Sequence, residues 1–524
     1  MGGKELSSSY SILNKRIRAF ANGYRQNIAL LGDNREELTY FLENYFSSNK
    51  LDTLTYIHTT TIYAGKQEFF RGIIFSLLNS YLHQNLSFDN LINYANSILP
   101  STTEFIKNYL KKEDISFLDT LEVINKFINE TNRQVIFIIE EFLTAADIFE
   151  DFYQSFSKFI ILQRNCMIVL TTSEAKKAKK VLTSELNLLF GNFEITSINE
   201  KSFLEIFLYF KDLLTPFKPS PFFISFFINM LGSNIIYYNL IAKNLKNIYS
   251  NETNEEKIIF SALKDMFYSK ESYFFQKFIH YIDSLYDNFN DFPSIIRLLF
   301  AISEGYLRKK DLISLGIYNS KDISHKLQKL CEFNFIDNLG NIYKLKDPSF
   351  SFWLNTVFKL YFAPPILNIE QKEITYRKKI EEEILMFKED FFQNKLQRVV
   401  QLFSSFKNDS LRLDKNLYQL PYIEKTKIIS YPNKEFHLII GEGREIVFAG
   451  IKEKNSDDND IFEFIEKGAN IKGKKVRKIF VSLGILPPTA HLIAKNNRLT
   501  LWDLNDINRL LQIYNKPLIN ADLT

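Results

Sequence analysis

The sequence predicts an α/β fold for about the first 200 residues, because short apolar segments alternate there with helical ones. Residues 26–31 form an apolar run, and residues 36–46 carry apolar side chains at helical spacing. Residues 53–63, 134–139 and 167–171 are rich in β-branched or aromatic side chains and are predicted as further strands. Alternation of this kind is typical of a parallel sheet with helices on both faces.

The remaining chain divides by pattern into four further segments. Helical spacing continues through residues 199–288, and a break at residues 363–365 precedes a charged helix that we expect to be solvated. Between them lie three short amphipathic stretches and a hairpin. We therefore predict five parts: a core at 1–198, a helical lid at 199–288, a three-helix and hairpin unit at 289–362, a linker helix at 363–387 and a second mixed α/β domain at 388–524.

Composition excludes several classes of protein. The 524 residues exceed the size of a single core, so several domains are expected. No long apolar run is present, and the first ten residues lack the segments of a secretory signal, so we expect a cytoplasmic protein without a membrane span. A net charge of +4 does not by itself indicate nucleic acid. Cys166 and Cys331 have no second Cys or His at ligand spacing, so we expect structural thiols and no metal site.

An incomplete phosphate-binding motif follows the first predicted strand. Gly32 and Thr39 occupy the first and last positions of G-x-x-x-x-G-K-[ST], whereas Glu37 and Leu38 stand in the second-glycine and lysine positions. The glycines let backbone N–H groups converge on phosphates, and the lysine neutralises them. With Glu36 next to Glu37, we expect the loop to repel ATP. A Gly and a Thr at this spacing also occur at an ordinary helix start, and from these residues alone that interpretation stays open.

Two later strands end in polar side chains. The apolar run at residues 135–139 is followed by Glu140 and Glu141, as a Walker B segment requires for magnesium and for orienting the attacking water, with Glu140 in place of the usual Asp. The strand at residues 167–171 is followed by Thr172.

These segments, together with Gly232-Ser233-Asn234 and the Asp-Pro-Ser-Phe-Ser-Phe-Trp motif at residues 347–353, resemble the prokaryotic "archaeal ATPase" family, which lies near the STAND class of AAA-like signalling ATPases. The resemblance covers about residues 10–360 and implies a RecA-like P-loop sheet, an all-α lid and a winged helix. It implies that Thr39 is the magnesium-side hydroxyl, Glu141 the catalytic acid and Thr172 the γ-phosphate sensor. Because the second glycine and the lysine are missing, we expect no cofactor, and ATP with Mg²⁺ only if the loop still binds.

The winged helix suggests a DNA-binding surface. Such domains commonly lay their third helix in the major groove and add phosphate contacts from basic side chains. Arg308, Lys309 and Lys310 flank the second helix. The alternative is that this domain packs against the core and its lysines are only solvated. The DNA-binding candidates on the third helix and the hairpin are Lys321, Ser324, His325, Lys326, Lys329 and Lys344.

The C-terminal segment resembles the Mrr-like branch of the PD-(D/E)xK, restriction-endonuclease-like domains over about residues 388–517. Those enzymes hold magnesium with an Asp and a Glu-x-Lys. The corresponding positions here are His437 and Gly450-Ile451-Lys452, so only Lys452 remains, and Glu453 is expected on the opposite strand face. We therefore expect no phosphodiester cleavage and a structural role for His437.

Three functions remain open from the sequence. The favoured one is a pseudo-ATPase and pseudo-nuclease that acts as a DNA-binding or protein-interaction scaffold. The second is a STAND-like switch that binds nucleotide through backbone amides and Thr39 with little or no turnover. The third is an active DNA-processing enzyme that uses other acids, such as Glu445 or those at residues 457–460. The expected partners are DNA, another protein or further copies of the chain, and no membrane.

Overall fold

The computed structural model describes residues 8–32, 34–61, 65–184, 192–198, 201–249, 252–316, 320–362, 367–413, 416–431, 435–469, 471 and 475–519. The backbone divides into two compact units, Met1–Glu200 and Lys201–Thr524. This boundary lies two residues from the predicted end of the core at residue 198. The predicted boundaries at residues 288, 362 and 387 fall inside the second unit and stay predictions. The break predicted at residues 363–365 lies outside the described residues.

The first unit contains five strands and nine helices among its described residues. The strands are β1 (Asn27–Leu31), β2 (Leu54–Thr60), β3 (Gln134–Glu140), β4 (Cys166–Thr172) and β5 (Phe193–Ser197). The helices are α1 (Ser8–Ala21), α2 (Arg35–Asn49), α3 (Lys66–Leu82), α4 (Phe88–Ala95), α5 (Pro100–Tyr109), α6 (Phe117–Thr131), α7 (Ala145–Ile148), α8 (Phe152–Leu162) and α9 (Ala175–Ser184).

The five strands form one parallel sheet in the order β2-β3-β4-β1-β5. Alternate side chains of β1 enter two cores: Ile28 and Leu30 pack with α1 and α2, whereas Ala29 and Leu31 pack with α3, α6 and α8. The predicted α/β fold, with a parallel sheet covered on both faces, is therefore confirmed. Strand β5 is an addition to the predicted set. Because all strands are parallel, their carboxyl ends lie along one edge, where open α/β sheets place their sites.

The second unit contains fifteen helices and nine strands among its described residues. The helices are α10 (Phe203–Leu213), α11 (Pro221–Leu231), α12 (Ile235–Tyr249), α13 (Glu255–Leu263), α14 (Tyr273–Asn288), α15 (Phe292–Ser303), α16 (Lys309–Ser314), α17 (Ser320–Glu332), α18 (Pro348–Trp353), α19 (Lys359–Phe362), α20 (Ile369–Phe391), α21 (Lys395–Ser404), α22 (Asp458–Ala469), α23 (Ala490–Asn496) and α24 (Leu504–Ile513). The strands are β6 (Ile336–Asn338), β7 (Tyr343–Leu345), β8 (Asp409–Leu413), β9 (Asn416–Leu420), β10 (Lys425–Tyr431), β11 (Phe436–Glu442), β12 (Ile446–Lys452), β13 (Val476–Ser482) and β14 (Thr500–Trp502).

A helix-helix-helix-hairpin order follows the all-helical segment, as the sequence predicts. Helices α15, α16 and α17 precede the antiparallel hairpin of β6 and β7. The Gly232-Ser233-Asn234 motif and the motif at residues 347–353 lie close together. Tyr237 donates a hydrogen bond to Asp347 at 2.6 Å, and Ser349 donates one to the Met230 carbonyl at 3.2 Å. A Cβ atom on Gly232 would lie 3.1 Å from the Pro348 ring. The expectation of a solvated linker helix is wrong, since α20 buries one face; its buried side chains are Tyr376, Ile380, Ile384 and Phe387.

The C-terminal part of the second unit contains a mixed sheet in the order β10-β11-β12-β13-β14. Strands β10, β11 and β12 pair antiparallel, and β12, β13 and β14 pair parallel. Helices α21 and α24 cover one face, and α22 and α23 cover the other. Within the described parts of the chain, no helix combines the length and the apolar character needed to cross a bilayer.

Candidate functional site

The connection between β1 and α2 is only three residues long. Strand β1 ends at Leu31 and α2 begins at Arg35, so the fourth to eighth positions of the phosphate-binding motif are helical. The Gly32 N–H donates to the Thr172 carbonyl at 3.1 Å and thereby continues the sheet. Asp33, the second position of the motif, lies outside the described residues. A connection of this length leaves few free N–H groups to surround a polyphosphate.

The start of α2 is capped by its own sequence. The Asn34 side chain accepts hydrogen bonds from the N–H groups of Glu36 and Glu37 at 2.8 and 3.3 Å. The next N–H, that of Leu38, donates to the Asn34 carbonyl at 3.2 Å. The N–H groups of Glu36 and Glu37 are among the donors that an anion at a helix N-terminus would use, whereas the Leu38 bond is the first one within the helix itself. Asn34 therefore takes the place that a phosphate oxygen would occupy.

Leu38, in the lysine position of the motif, is a core residue. Its side chain is buried with Leu42, Tyr45 and Phe46 of the same helix. A Cβ atom on Gly32 would lie 2.9 Å from Leu38 Cγ, so Gly32 lies directly against this side chain. The glycine thus makes room for the leucine packing, and a lysine at position 38 would place its stem and charge in an apolar core.

Thr39 and Glu140 meet at the carboxyl edge of the sheet. Thr39 Oγ1 donates to Glu140 Oε2 at 2.6 Å, and His58 Nε2 lies 2.5 Å from Glu140 Oε1. Burial alone would raise the pKa of Glu140, but the hydrogen bonds from His58 and Thr39, with the nearby charge of Arg35, lower it below its usual value. Both carboxylate oxygens of Glu140 thus have protein partners.

Glu141 turns toward the end of β4. Its Oε2 accepts a hydrogen bond from Thr172 Oγ1 at 2.9 Å, and the Ser173 N–H contacts both of its carboxylate oxygens at 2.9 and 3.1 Å. The residue is buried and has a φ of 51° in the left-handed region, which few non-glycine residues adopt. Glu141, the predicted catalytic acid, and Thr172, the predicted sensor, are therefore hydrogen-bonded to each other.

Three residues of this cluster were absent from the sequence prediction. His58 lies near the end of β2, the neighbour of β3, and Thr61 Oγ1 donates to the Glu141 carbonyl at 2.5 Å. Asn34 carried a readable signal, since Asn is a preferred helix N-cap. The position of His58 depends on the pairing of β2 with β3, and no motif indicates it.

The predicted DNA-binding residues of α17 do not share one environment. Lys321, Ser324 and His325 are exposed, and Lys329 is half-buried with its Nζ 5.9 Å from the centre of the Phe289 ring. These four remain on an accessible face.

Lys326 requires a correction. Its Nζ lies 2.7 Å from both Asp291 and Ser294 and 3.2 Å from Asp322, and the residue is buried. It therefore joins α17 to the start of α15 and does not present its charge to a ligand. Desolvation opposes its charge, yet the two aspartates raise the pKa of Lys326 above its usual value.

The tip of the β6-β7 hairpin is paired with the β8-β9 hairpin. The Asn341 N–H donates to the Ser410 carbonyl at 3.1 Å, and the Arg412 N–H donates to the Leu339 carbonyl at 3.0 Å. Gly340 has a φ of 107°, and a Cβ atom there would lie 2.0 Å from the Ser410 oxygen. Lys344, predicted as a phosphate contact on this hairpin, instead donates to the Gln512 carbonyl.

Arg308, expected on a basic surface, is buried. It forms a two-pronged ion pair with Asp409, with Nε to Oδ1 at 2.6 Å and Nη2 to Oδ2 at 2.7 Å. Tyr514 donates to the same carboxylate at 2.6 Å. Burial would raise the pKa of Asp409, but the hydrogen bonds from Arg308 and Tyr514 lower it. Arg308 therefore does not contribute to a basic surface near α16, because its charge is used in an internal contact.

The two nuclease-like positions lie on opposite faces of the C-terminal sheet. His437 is opposite Ile451 in the β11-β12 register, whereas Lys452 is opposite Phe436. His437 contacts Ser430 at 3.0 Å and Glu453 at 3.1 Å. Lys452 Nζ contacts Asp460 Oδ1 at 3.0 Å, on the other face. His437 and Lys452 therefore do not converge on one site.

The acids proposed as substitutes for the lost carboxylates are also engaged. Glu445 is paired with Lys475 and Arg477, and these partners lower its pKa. Asp457 and Asp460 exchange hydrogen bonds with each other's backbone N–H at the start of α22. Across the described residues, no group of three or more His, Cys, Asp or Glu side chains has the arrangement of a metal site.

Comparison with known proteins gives similarity in fold. The chain matches no protein-family model, and no curated protein is similar to it in sequence. Among solved structures, a Walker-type ATPase of Pyrococcus abyssi is 14% identical, with a TM-score of 0.44, over 68% of this chain and 96% of that one. The Aeropyrum pernix ORC2 protein, solved with ADPNP and ADP, is 10% identical, with a TM-score of 0.43, over 73% and 96%. The Aeropyrum pernix ORC1 protein, solved with DNA, is 10% identical, with a TM-score of 0.33, over 66% and 91%.

Proposed function

We propose that this chain is a non-catalytic protein with a P-loop-type fold, which binds DNA through the exposed face of α17. The observation that carries the first half of this proposal is the packing of Leu38 against Gly32 inside a three-residue connection. A site that holds a triphosphate requires free backbone N–H groups and a lysine at this place. Here Asn34 accepts from the N–H groups, and a buried leucine replaces the lysine.

The hydrogen bonds around the two acids support the same conclusion. Glu140 is held by Thr39 and His58, and Glu141 by Thr172 and Ser173. A catalytic acid has to reach the attacking water, directly or through one other water. With both carboxylates engaged inside the protein, the cluster is better suited to stabilising the edge of the sheet than to activating water.

Isothermal titration calorimetry with Mg-ATP and Mg-ADP tests this part. We expect no binding heat for the unchanged chain up to millimolar nucleotide. We also expect none for Glu37→Gly, which restores the second glycine while leaving Leu38 in the core. Adding Leu38→Lys should destabilise the fold, because it buries a cation without a partner, and should not create affinity. Micromolar binding of either nucleotide by the unchanged chain would overturn the proposal.

The DNA-binding half rests on the accessible face of α17. Lys321, Ser324 and His325 are exposed at helical spacing, and Lys329 continues the same face one turn further on. The hairpin tip that would accompany this helix is paired with β8. We therefore expect phosphate contacts from the helix alone, with modest affinity that falls as salt rises.

Fluorescence anisotropy with a labelled duplex tests the role of α17. The double variant Lys321→Glu and Lys329→Glu should bind at least about tenfold more weakly, since two phosphate contacts are replaced by repulsion. The control is Lys211→Glu with Lys218→Glu, which changes the net charge equally at two exposed positions of the same unit. Equal losses in both variants would show general charge attraction and would contradict the assignment to α17.

A nucleotide-binding switch is the second candidate, favoured by the Thr39–Glu140 contact of 2.6 Å. A Thr hydroxyl beside an acid at the carboxyl edge is the pair that holds magnesium in working P-loop proteins. Thermal stabilisation by ADP that is lost in Thr39→Val would favour this candidate over the first. We also propose that the C-terminal sheet is an Mrr-like domain. Because the metal-binding carboxylates of such domains are missing here, we expect no magnesium-dependent nicking of supercoiled DNA.

A further inference from the structure

The second unit encloses a cavity of about 260 Å³ at the junction of four of its parts. Its wall includes residues of α11, the β7 strand, α20 and α24. The volume corresponds to about nine water molecules at ~30 Å³ each. A cavity of this size accommodates a small organic molecule as well as solvent.

The wall combines aromatic rings with amide groups. Phe226 and Phe387 pack edge to face with their ring centres 5.3 Å apart, and Phe352 adds a third ring. Asn355 contributes polar atoms and is fixed by two hydrogen bonds with Ser303. Polar and apolar groups thus contribute about equally to this wall, and fixed polar groups are what orient a ligand in such sites.

Lys344 supplies the one amine in this wall. Its Nζ donates to the Gln512 carbonyl, and the described part of the chain places no carboxylate at ion-pair distance from it. Burial lowers the pKa of Lys344 to about 8. Glu383 also borders the cavity, but its Oε1 lies 3.1 Å from Lys379. Lys344 is half-buried, and the charge of Asp337 partly offsets its desolvation. A ligand carboxylate beside the ammonium would add a charge-assisted hydrogen bond.

We propose that this cavity binds a small molecule with one carboxylate and a planar apolar body. The carboxylate pairs with Lys344 Nζ, and the body lies among Phe226, Phe352 and Phe387. One amine matches the single charge of a carboxylate, whereas a phosphate dianion would leave its second charge without a cation. The site is independent of the β1-α2 connection, so it stands whether or not the chain binds nucleotide.

Ligand-observed NMR on the full chain tests the proposal with benzoate as the probe and benzamide as its neutral isostere. Benzoate should bind, and Lys344→Met should weaken it at least about tenfold, the effect of losing a charge-assisted hydrogen bond. Lys211→Met, at an exposed position of α10, is the matched control and should leave binding unchanged. Equal binding of benzoate and benzamide, or benzoate binding that survives Lys344→Met, would overturn the proposal.

A measurement on the unchanged chain covers the case in which Lys344→Met does not fold. Lysine acetylation followed by mass spectrometry gives the labelling rate of each amine with and without benzoate. Lys344 should be protected at least threefold by benzoate, while Lys211 should be labelled at the same rate in both conditions. A Lys344 rate that benzoate does not change would refute the site.

Discussion

Two opposing effects act on the Glu140 carboxylate. Burial disfavours its charge, whereas hydrogen bonds from His58 and Thr39 favour it, and the net result is a lowered pKa. A carboxylate whose pKa falls on folding contributes stability above its unfolded pKa and loses it as pH falls through the folded pKa. Glu140 therefore adds stability at neutral pH that disappears in acid.

The variant Glu140→Gln should measure this contribution. We expect a loss of about 1.5–3 kcal/mol in unfolding free energy at pH 7, the usual range for hydrogen bonds to a charged group. The difference between the two proteins should shrink below the ordinary Glu pKa of 4.5. Urea denaturation over a pH series gives both quantities. Glu43→Gln, at an exposed position of the same α2 helix, is the control and should change little. A pH-independent difference would mean that the charge of Glu140 does not contribute.

At the scale of residues, the sequence indicated some of the side chains at the carboxyl edge of the sheet but missed others, such as His58 and Thr61. Thr39, Glu140 and Thr172 follow or flank parallel strands, whose carboxyl ends share one edge, so their proximity could be inferred. The inward direction of Leu38 depends on α2 beginning at Arg35 rather than later. That start is set by the Asn34 cap, a local hydrogen bond that competes with the phosphate-loop pattern.

The turn between β6 and β7 shows how one element is fixed by another. Gly340 combines a left-handed φ of 107° with a backbone contact that leaves no room for a side chain, and it lies where the Ser410 carbonyl meets the turn. The sequence predicted the hairpin because its turn residues are local. Its pairing with β8 escaped prediction, since that strand begins some 70 residues later and the sequence signals of a hairpin do not indicate its partner.

Replacing Gly340 should therefore cost more than backbone strain alone. Gly305 is a matched control, because it has a similar φ of 98° but nothing within 4 Å of an added Cβ. We expect Gly305→Ala to lose about 1–2 kcal/mol through strain, and Gly340→Ala to lose at least about 2 kcal/mol more through the clash. Chemical denaturation of both variants gives the comparison. Equal losses would mean that the turn moves away from Ser410 without penalty.

At the scale of the molecule, the Arg308–Asp409 pair joins the three-helix and hairpin part of the second unit to its C-terminal part. Asp409 is fully buried and is bonded to Arg308, Tyr514 and the Lys407 N–H. Removing one partner from a buried pair leaves an uncompensated charge. One continuous apolar core also runs through these parts, from Ile206 to Ile519, and residues 201–524 form a single compact unit although their sequence suggests four.

The variant Asp409→Asn should lose about 3–5 kcal/mol of unfolding free energy, because it strands the Arg308 charge in the interior. Asp311→Asn is the control, since the Asp311 carboxylate is partly exposed and makes a single, longer contact of 3.3 Å with one Arg308 nitrogen. That change should cost less than about 1 kcal/mol. Limited proteolysis should also cut Asp409→Asn faster in the β8-β9 region than the unchanged chain. Similar stabilities for the two variants would contradict a linking role for the pair.

The presence of a parallel sheet was within reach of the sequence, while its strand order and the burial of α20 were not. Alternating apolar strands and amphipathic helices predict a parallel sheet whatever the details of packing. The apolar side chains of the charged helix α20 are sparse, and the sequence therefore predicts a solvated helix. Tyr376 and Ile380 are nevertheless fully buried. Burial of that face depends on neighbouring helices that single-segment patterns do not reveal.

Strand β10 forms one end of the C-terminal sheet and, among the described strands, pairs only with β11. An unpaired strand edge is a template on which a second chain can extend the sheet into an aggregate. Lys425 and Lys427 stand two residues apart on this strand with exposed side chains, followed by the exposed Ile428. Two like charges on the outermost strand make the approach of an identical edge unfavourable. The lysines of β10 therefore favour solubility, because they oppose the addition of a sixth strand from another copy of the chain.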